Sequence, residues 1–387
     1  MLIQFMVLAL RNAFRHRLRT SLTVLGLLIA ILAFGLLRTV IDAWYAGVDN
    51  ASTSRLVTRN SISLVFPLPI AYAGKIRQID GVREVGWANW FGGVYIDEKN
   101  FFPQMAIDGE HFLNLYPEFV ISPEQRKAYL ADKRGALIGR KLANRYGLEI
   151  GDTMPIKGTI YPGTWTFVIR AIYDGADKHT DTNQMFFHWS YLNDTVKRVT
   201  SRRGDQAGLF MVGIEDADRA AAIARSIDAS FKNSLAETLT ETEKAFQQSF
   251  VAMTGAIIGA IQVVSFVVVI IIMAVMANTM SMAARERSAE YATLKALGFG
   301  PWFLSGLIVM ESLVICALGT LLGIAATYPV ASTFARSLDQ FFPVFNISTT
   351  TIAMQLGSGL VVALVAAAVP AWRASQVRIV EGLRHAG

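Results

Sequence analysis

Residues 278–302 read NTMSMAARERSAEYATLKALGFGPW. The stretch begins in the last residues of an uncharged apolar run that ends at Ala283 and runs up to a second apolar run, 303–328. It carries Arg285, Glu286, Arg287, Glu290 and Lys295, with Tyr291, Leu294 and Leu297 spaced three apart. Gly298 and Gly300-Pro301 stop any helix there, because glycine tolerates a left-handed C-terminal cap and proline cannot continue the ladder. The spacing predicts a short amphipathic helix pinned between two membrane spans, a surface made to be gripped.

The whole chain fits that setting. Its 387 residues are 53% hydrophobic and 17% charged, with a mean hydropathy of +0.38. That is too apolar for an ordinary soluble protein and suits several membrane spans with a sizeable polar part. The region from Trp44 to Phe250 carries 24 basic and 24 acidic residues, so the net charge of +6 lies wholly in the flanks. A neutral polar region argues against nucleic-acid binding, which wants a basic face. Basic flanks suit the positive-inside rule instead. The one cysteine, Cys316, lies in an apolar run, so an internal disulfide and Cys-rich metal motifs are excluded. His16, His111, His179, His188 and His385 show no metal-ligand spacing.

Hydropathy divides the chain. Residues 1–19 read as an amphipathic interfacial helix with Arg11, Arg15, Arg17 and Arg19 in the headgroup layer. A first span follows at 20–42, long enough for a ~30 Å hydrocarbon core. It is longer than a signal-peptide h-region, and Asp42-Ala43-Trp44-Tyr45 makes a poor cleavage site. The other spans are expected within 246–283, where a stalk is continuous with the second span, at 302–330 and at 351–371. The connections are a charged loop, 284–301, a short loop, 331–350, and a tail, 372–387. The charge bias places both termini and the charged loop in the cytoplasm, and the neutral domain 43–245 outside it.

Within the polar domain, strand-like runs occur at 85–96, 167–172 and 208–214, and helix-like runs at 70–79, 122–133 and 216–232. Ile223, Ile227 and Phe231 recur at helical spacing. A split α/β core, 45–96 and 206–235, with an inserted lobe, 97–205, accounts for this order. The aromatic segments at Trp87–Phe91, Phe101-Phe102 and Phe186–Trp189 either line a lipid or partner surface or form buried strand faces.

Catalytic and nucleotide motifs are missing. There is no G-x-x-x-x-G-K-[ST] loop, no H-E-x-x-H and no G-x-S-x-G. Glu311 is the one carboxylate well inside a span; such a group is expensive unless paired or near the interface, which makes it a candidate functional residue or one end of a salt bridge. Gly255/Gly259 and Gly319/Gly323 have the small-xxx-small spacing that lets helices approach closely. A non-catalytic membrane device driven from outside the chain is the reading these features support.

Three signatures then make a family specific. Leu10-Arg11-Asn12, Arg15 to Thr23 and Gly26 lead into the first span. Asn278, Arg285-Glu286-Arg287, Glu290 and Leu294 to Gly298 follow the second, with Glu311-Ser312 in the third. Pro370-Ala371-Trp372-Arg373-Ala374-Ser375 and Leu383-Arg384 close the chain. Together these resemble the FtsX/MacB/LolC permeases, the type VII ATP-binding-cassette (ABC) superfamily. In the polar domain, Gly81 to Val85, Leu137-Ile138-Gly139 and Gly151-Asp152 are similar to the MacB periplasmic core domain. Tyr291 and Arg378-Ile379-Val380 depart from the family pattern.

The resemblance implies four transmembrane helices and an α+β periplasmic domain in a multi-pass protein of the bacterial inner membrane. It implies a homodimer or heterodimer bound to a cytoplasmic ABC ATPase dimer that holds ATP and Mg²⁺, with none in this chain. A periplasmic adaptor or chaperone and membrane lipids are further partners of such proteins. Arg285, Glu286, Arg287, Glu290, Tyr291, Leu294, Lys295 and Gly298 would form the ATPase-coupling helix, with Glu290 and Lys295 facing the ATPase. The implied function is mechanotransmission that drives export or extraction of a lipid, lipoprotein, peptide or drug. The alternative is an FtsX-like regulator of a periplasmic cell-wall hydrolase, which the large polar domain disfavours.

Overall fold

The computed structural model describes residues 11, 13–49, 51–98, 100–177, 180–200, 203–337 and 345–377. Most of the expected interfacial helix 1–19, the middle of the loop 331–350 and the tail beyond Val377 fall outside them. The chain divides into a polar unit built on Trp44–Met253 and a membrane unit holding Thr254–Ser337 and the segments before Trp44 and from Phe345.

The membrane unit has four helices long and apolar enough to cross a bilayer: Arg17–Asp49, Gly255–Glu286, Pro301–Ser337 and Thr349–Gln376. Each overruns the apolar segment read from hydropathy, because arginine and other polar flanks are good helix formers and do not end a helix. Real stops do. Ser348 caps the last helix, its Oγ accepting from Thr351 N at 3.0 Å. Pro301 opens the third at a position where its missing N–H is harmless. Pro329 stays inside that helix, and the hydroxyls of Ser332 and Thr333 donate to its carbonyl. The expected continuous stalk and second span are two helices, Glu243–Met253 and Gly255–Glu286. Thr254 leaves helical geometry at φ −101°, ψ 8°, and the glycine beside it makes helix continuation entropically expensive.

Leu27, Ile31, Ile272, Met276, Leu304, Ile308 and Ala366 bring all four helices into one buried cluster. A Cβ on Gly319 would lie 2.8 Å from Leu27 Cδ2, and one on Gly323 would lie 2.9 Å from Ile31 Cβ, so these glycines let the third helix close on the first. Nothing among the described residues lies within 4 Å of a Cβ at Gly255 or Gly259. Some buried polar groups are matched across helices: Gln355 Nε2 donates to Ile31 O at 2.9 Å and to Thr327 Oγ1 at 3.0 Å, while Gln355 Oε1 and Thr320 Oγ1 have no partner among the described residues. Asp42 accepts from Ser348 Oγ and Thr351 Oγ1 at 2.6 and 2.7 Å, and its Oδ1 lies 3.4 Å from Arg38 Nε one turn away.

The polar unit is built on strands β1 (Arg55–Asn60), β2 (Leu68–Pro69), β3 (Val82–Trp90), β4 (Gly93–Val94) and β5 (Gln104–Ile107). They continue as β6 (Phe119–Val120), β7 (Gly135–Gly139), β8 (Thr153–Gly158), β9 (Gly163–Gly175) and β10 (Met185–His188). The last are β11 (Gln206–Ala207), β12 (Leu209–Ile214) and β13 (Thr238–Thr242). One mixed sheet runs β13-β1-β12-β3-β5-β10-β7-β9-β8-β4, with β6 added on β9. The segment 97–205 therefore continues the sheet begun by 45–96, through the antiparallel pair Ala88↔Ile107.

Strand alternation sorts the core. On β12, Phe210, Val212 and Ile214 join a cluster with Leu56, Val85 and the helix residues Ile223, Ile227 and Phe231. Leu209 and Met211 face the opposite side, with Val57, Ile107, Phe112 and Phe186. A third cluster has Phe102, Ile138, Phe167 and Phe187 from the later segment among its members, joined by Phe91 from the end of the earlier one. Most of the aromatic segments are thus buried strand faces, while Trp90 and Phe101 remain exposed.

Two buried polar centres hold this unit. Arg55 donates through Nε to Glu243 at 2.8 Å, through Nη2 to Glu118 at 2.6 Å and through Nη1 to Leu115 O at 2.8 Å. Its guanidinium lies 4.2 Å from the centre of the Tyr116 ring. Burial works to lower the Arg55 pKa, and the Glu118 hydrogen bond and the Glu243 charge outweigh it, leaving it above its ordinary value. His188 Nε2 meets Tyr129 O at 2.7 Å, and its ring stacks on Tyr129 at 4.3 Å. Burial there holds the imidazole below its ordinary 6.5, against the opposing pull of the Tyr129 carbonyl, Asp132 and Asp108.

Arg55→Met leaves Glu243 a buried, unpaired carboxylate and is expected to cost about 3–5 kcal/mol in thermal unfolding of the intact protein. Adding Glu243→Gln should recover most of that loss; equal melting of single and double variants would refute the pairing. Protonated His188 is favoured in the unfolded chain. Its contribution is therefore full above pH 6.5 and is lost as pH falls from there through the folded pKa. His188→Gln, which keeps an N–H for Tyr129, should flatten the melting temperature over that window.

Candidate coupling site

The second spanning helix ends at Glu286, so Arg285 and Glu286 belong to its last turn. Arg287 breaks the helix, and Ser288–Ala296 forms a separate nine-residue helix. A Schellman cap ends it: Phe299 N donates to Leu294 O at 3.1 Å and Gly298 N to Lys295 O at 3.0 Å. Gly298 adopts φ 95°, a conformation only glycine takes without strain. Pro301 then opens the third helix.

One face of the short helix is buried. Tyr291 is 3% exposed and Ala292 0%; Tyr291 belongs to the four-helix cluster, and Leu294 packs against it partly covered. Burial pushes the Tyr291 phenol up to about 12, so it stays neutral. Tyr291, which departs from the family pattern, is thus a packing residue. The outward side carries Arg285, Glu290, Thr293 and Leu297, and continues into Phe299 and Trp302; Leu297 is 71% and Trp302 90% exposed.

Ion pairs fasten this segment to its neighbours. Arg287 Nη1 donates to Glu311 Oε2 at 2.8 Å, and the two side chains are only 7% and 6% exposed. Glu311 is ten residues into the third helix, about 15 Å along it at 1.5 Å per residue. A carboxylate there needs a cation, and the helix break at Arg287 supplies one. Arg19 Nη2 pairs with Glu286 at 2.6 Å, and Arg15 pairs with Glu290. Lys295 Nζ donates to Ser375 O at 2.7 Å and Val377 O at 2.8 Å, carbonyls left over at the end of the last helix.

Of the residues singled out from sequence, Arg287, Tyr291, Leu294 and Lys295 face the chain's own helices, whereas Arg285 and Glu290 are exposed. The structure adds Arg15 and Arg19 as partners, and Leu297, Phe299 and Trp302 as an exposed apolar edge. That edge was legible as apolar residues crowded about the two glycines. The arginine partners lie 275 and 267 residues away, beyond any local pattern. Ser305 Oγ and Ser312 Oγ donate to Ala371 O and Ala363 O at 3.0 and 2.8 Å, joining the third and fourth helices behind the loop.

A charged inter-span helix anchored on four spanning helices, with a mixed-sheet polar unit between the first two spans, defines a membrane permease subunit. The family model for the MacB-like periplasmic core domain matches residues 20–230, and that for the FtsX-like permease C-terminal region matches 262–379. The chain belongs to the FtsX/MacB-type ABC permeases, and is a bacterial membrane protein.

Solved structures of similar domains include the periplasmic region of MacB from Actinobacillus actinomycetemcomitans, with 10% identity and a TM-score of 0.38, covering 52% of this chain and 95% of that one. The extracellular domain of the noncanonic ABC-type transporter YknZ from Gram-positive bacteria has 13% identity and a TM-score of 0.35, covering 49% and 100%. A domain of a putative permease protein from Porphyromonas gingivalis has 14% identity and a TM-score of 0.34, covering 49% and 91%. No curated protein matches the chain significantly.

A double-mutant cycle with Arg287→Met and Glu311→Gln, read by thermal unfolding in detergent, should give a coupling of about 1–3 kcal/mol. Additive losses would show that the two side chains do not support each other.

Proposed function

We propose that this chain is the membrane subunit of a transporter in which a separate cytoplasmic ABC ATPase dimer supplies the energy. ATP and Mg²⁺ are held by that partner. Closure of the ATPase dimer pushes on the segment 284–301, and the movement passes along the spanning helices to the polar domain, which acts on a substrate outside the cytoplasm. The substrate is a lipid, lipoprotein, peptide or drug that is exported or extracted, with a periplasmic adaptor or chaperone as receiver. The protein works as a dimer in the inner membrane, with both termini in the cytoplasm.

The observation that carries this reading is the two-faced short helix. Its inner side is locked to the bundle by Tyr291, Arg287–Glu311 and Lys295, while its outer side presents Glu290, Leu297, Phe299 and Trp302. A handle must be rigidly attached on one side and free on the other. Lys295 and Glu290, expected from the family pattern to face the ATPase, are engaged within the chain by the Ser375 and Val377 carbonyls and by Arg15, so the outward contact is assigned to Leu297 and Phe299 with Arg285.

Leu297→Asp together with Phe299→Asp should reduce co-purification of the cognate ATPase by about tenfold, a loss of ~1.4 kcal/mol, without lowering the permease's melting temperature. Undiminished co-purification would refute the handle. For the topology, a cysteine at Glu98 in a Cys316→Ser background should react with membrane-impermeant maleimide in intact spheroplasts, and one at Arg285 only after permeabilisation. The opposite pattern would invert the assignment.

A further inference from the structure

The polar unit contains a half-open cavity of about 990 Å³, at the upper end of the range for small-molecule sites. Val57, Met105, Phe186, Leu209 and Met211 line it from neighbouring strands, and Phe246 from the helix Glu243–Met253. At its rim, Leu64 and Val65 are 40% and 85% exposed. The lining is mostly apolar, with Gln184, Asn193, Arg203, Gln206, Glu243 and Gln247 as further polar members, so an apolar path to solvent runs beside a polar side, and exposed apolar surface of this kind marks a binding site. Inside, Asn89 is only 6% exposed and its Oδ1 has no hydrogen-bond partner. A buried, unmatched acceptor of this kind costs about 1–3 kcal/mol and calls for a donor.

We infer that this cavity binds one long acyl chain of an amphiphile whose head presents an N–H or O–H group to Asn89 Oδ1. An alkyl chain brings no polar groups that need matching, and the flexible thioethers of Met105 and Met211 adapt to it. A peptide is a poor fit. The walls are mostly side chains on a sheet face and from flanking helices; the end strands β13 and β4 contribute none, and the short edge strands β6 and β11 contribute only Phe119 and Gln206, so a peptide backbone would find little ladder to join. The inference stands apart from the ATPase reading, because ligand occupancy is measured with no ATPase present.

The test uses the full chain in phosphatidylcholine nanodiscs with N-palmitoylglycine carrying a diazirine at the chain end. Irradiation and peptide mapping should place label on the peptides of β5, β10 and β12 as well as on the spans. Unlabelled N-palmitoylglycine should displace the cavity label about tenfold better than its ester analogue, which lacks the N–H donor. Asn89→Leu should abolish that preference. Leu209→Trp, and independently Met105→Trp, should fill the cavity and cut its label at least about tenfold, with span labelling and melting temperature unchanged.

Label confined to the spans would overturn the proposal, as would cavity label that persists in both tryptophan variants. Equal labelling of β5, β10 and β12 by a photoreactive unacylated peptide, or by a diazirine diacyl phosphatidylcholine, would also overturn it, by assigning the cavity to a peptide or a two-chain lipid.

Discussion

The ion pair between Arg287 and Glu311 is the constraint around which the membrane unit is arranged. Both charges are withdrawn from solvent, so neither can leave the other without remaining unpaired among apolar side chains. Arg287 stands where the second spanning helix breaks and the short helix begins. Glu311 stands three turns into the third. Holding them together fixes the loop's position against the third helix more firmly than van der Waals contact does, because sliding by one turn would separate the charges. Tyr291 lies near both charges and packs into the four-helix cluster.

Around that centre the attachments differ in kind. Lys295 reaches carbonyls that the last helix cannot satisfy itself, so its ammonium completes a helix end as well as joining two elements. The pairs of Arg15 and Arg19 with Glu290 and Glu286 are more exposed, and exposed pairs contribute little each. The network thus has a firm inner part and a loose outer part. The polar unit repeats the inner logic with Arg55, whose guanidinium satisfies two carboxylates and a carbonyl at once and lies against an aromatic ring.

Much of this was legible in the residues. Four apolar runs announced four helices, Ile223, Ile227 and Phe231 announced the helix that covers the sheet, and Gly298 announced the stop that a left-handed cap provides. These are local signals. Helix lengths were underread because Arg17, Arg285 and Arg373 end an apolar run without ending a helix. Sheet order was not legible, since β1 pairs with β12 and β13 at separations set by the whole intervening domain. The site was half legible: charge density located it, but whether a given charge faces inward depends on partners far along the chain. Lys295 and Glu290, equivalent as members of a motif, prove to have opposite surroundings. Tyr291, a departure from the family pattern, is a core residue.

The nine-residue helix Ser288–Ala296 also has a fixed length, about 13.5 Å at 1.5 Å per residue. Its ends are set by the Arg287 break on one side and the Gly298 cap on the other. One inserted residue within it would turn everything downstream by about 100°, swinging Lys295 off the Ser375 and Val377 carbonyls if Arg287 and Tyr291 kept their places. A deletion would do the same in the other direction. Side chains on its outer face can be exchanged one at a time, but the segment has no slack in its count of residues. It behaves as a ruler between the second and third helices, and its phase is part of its structure.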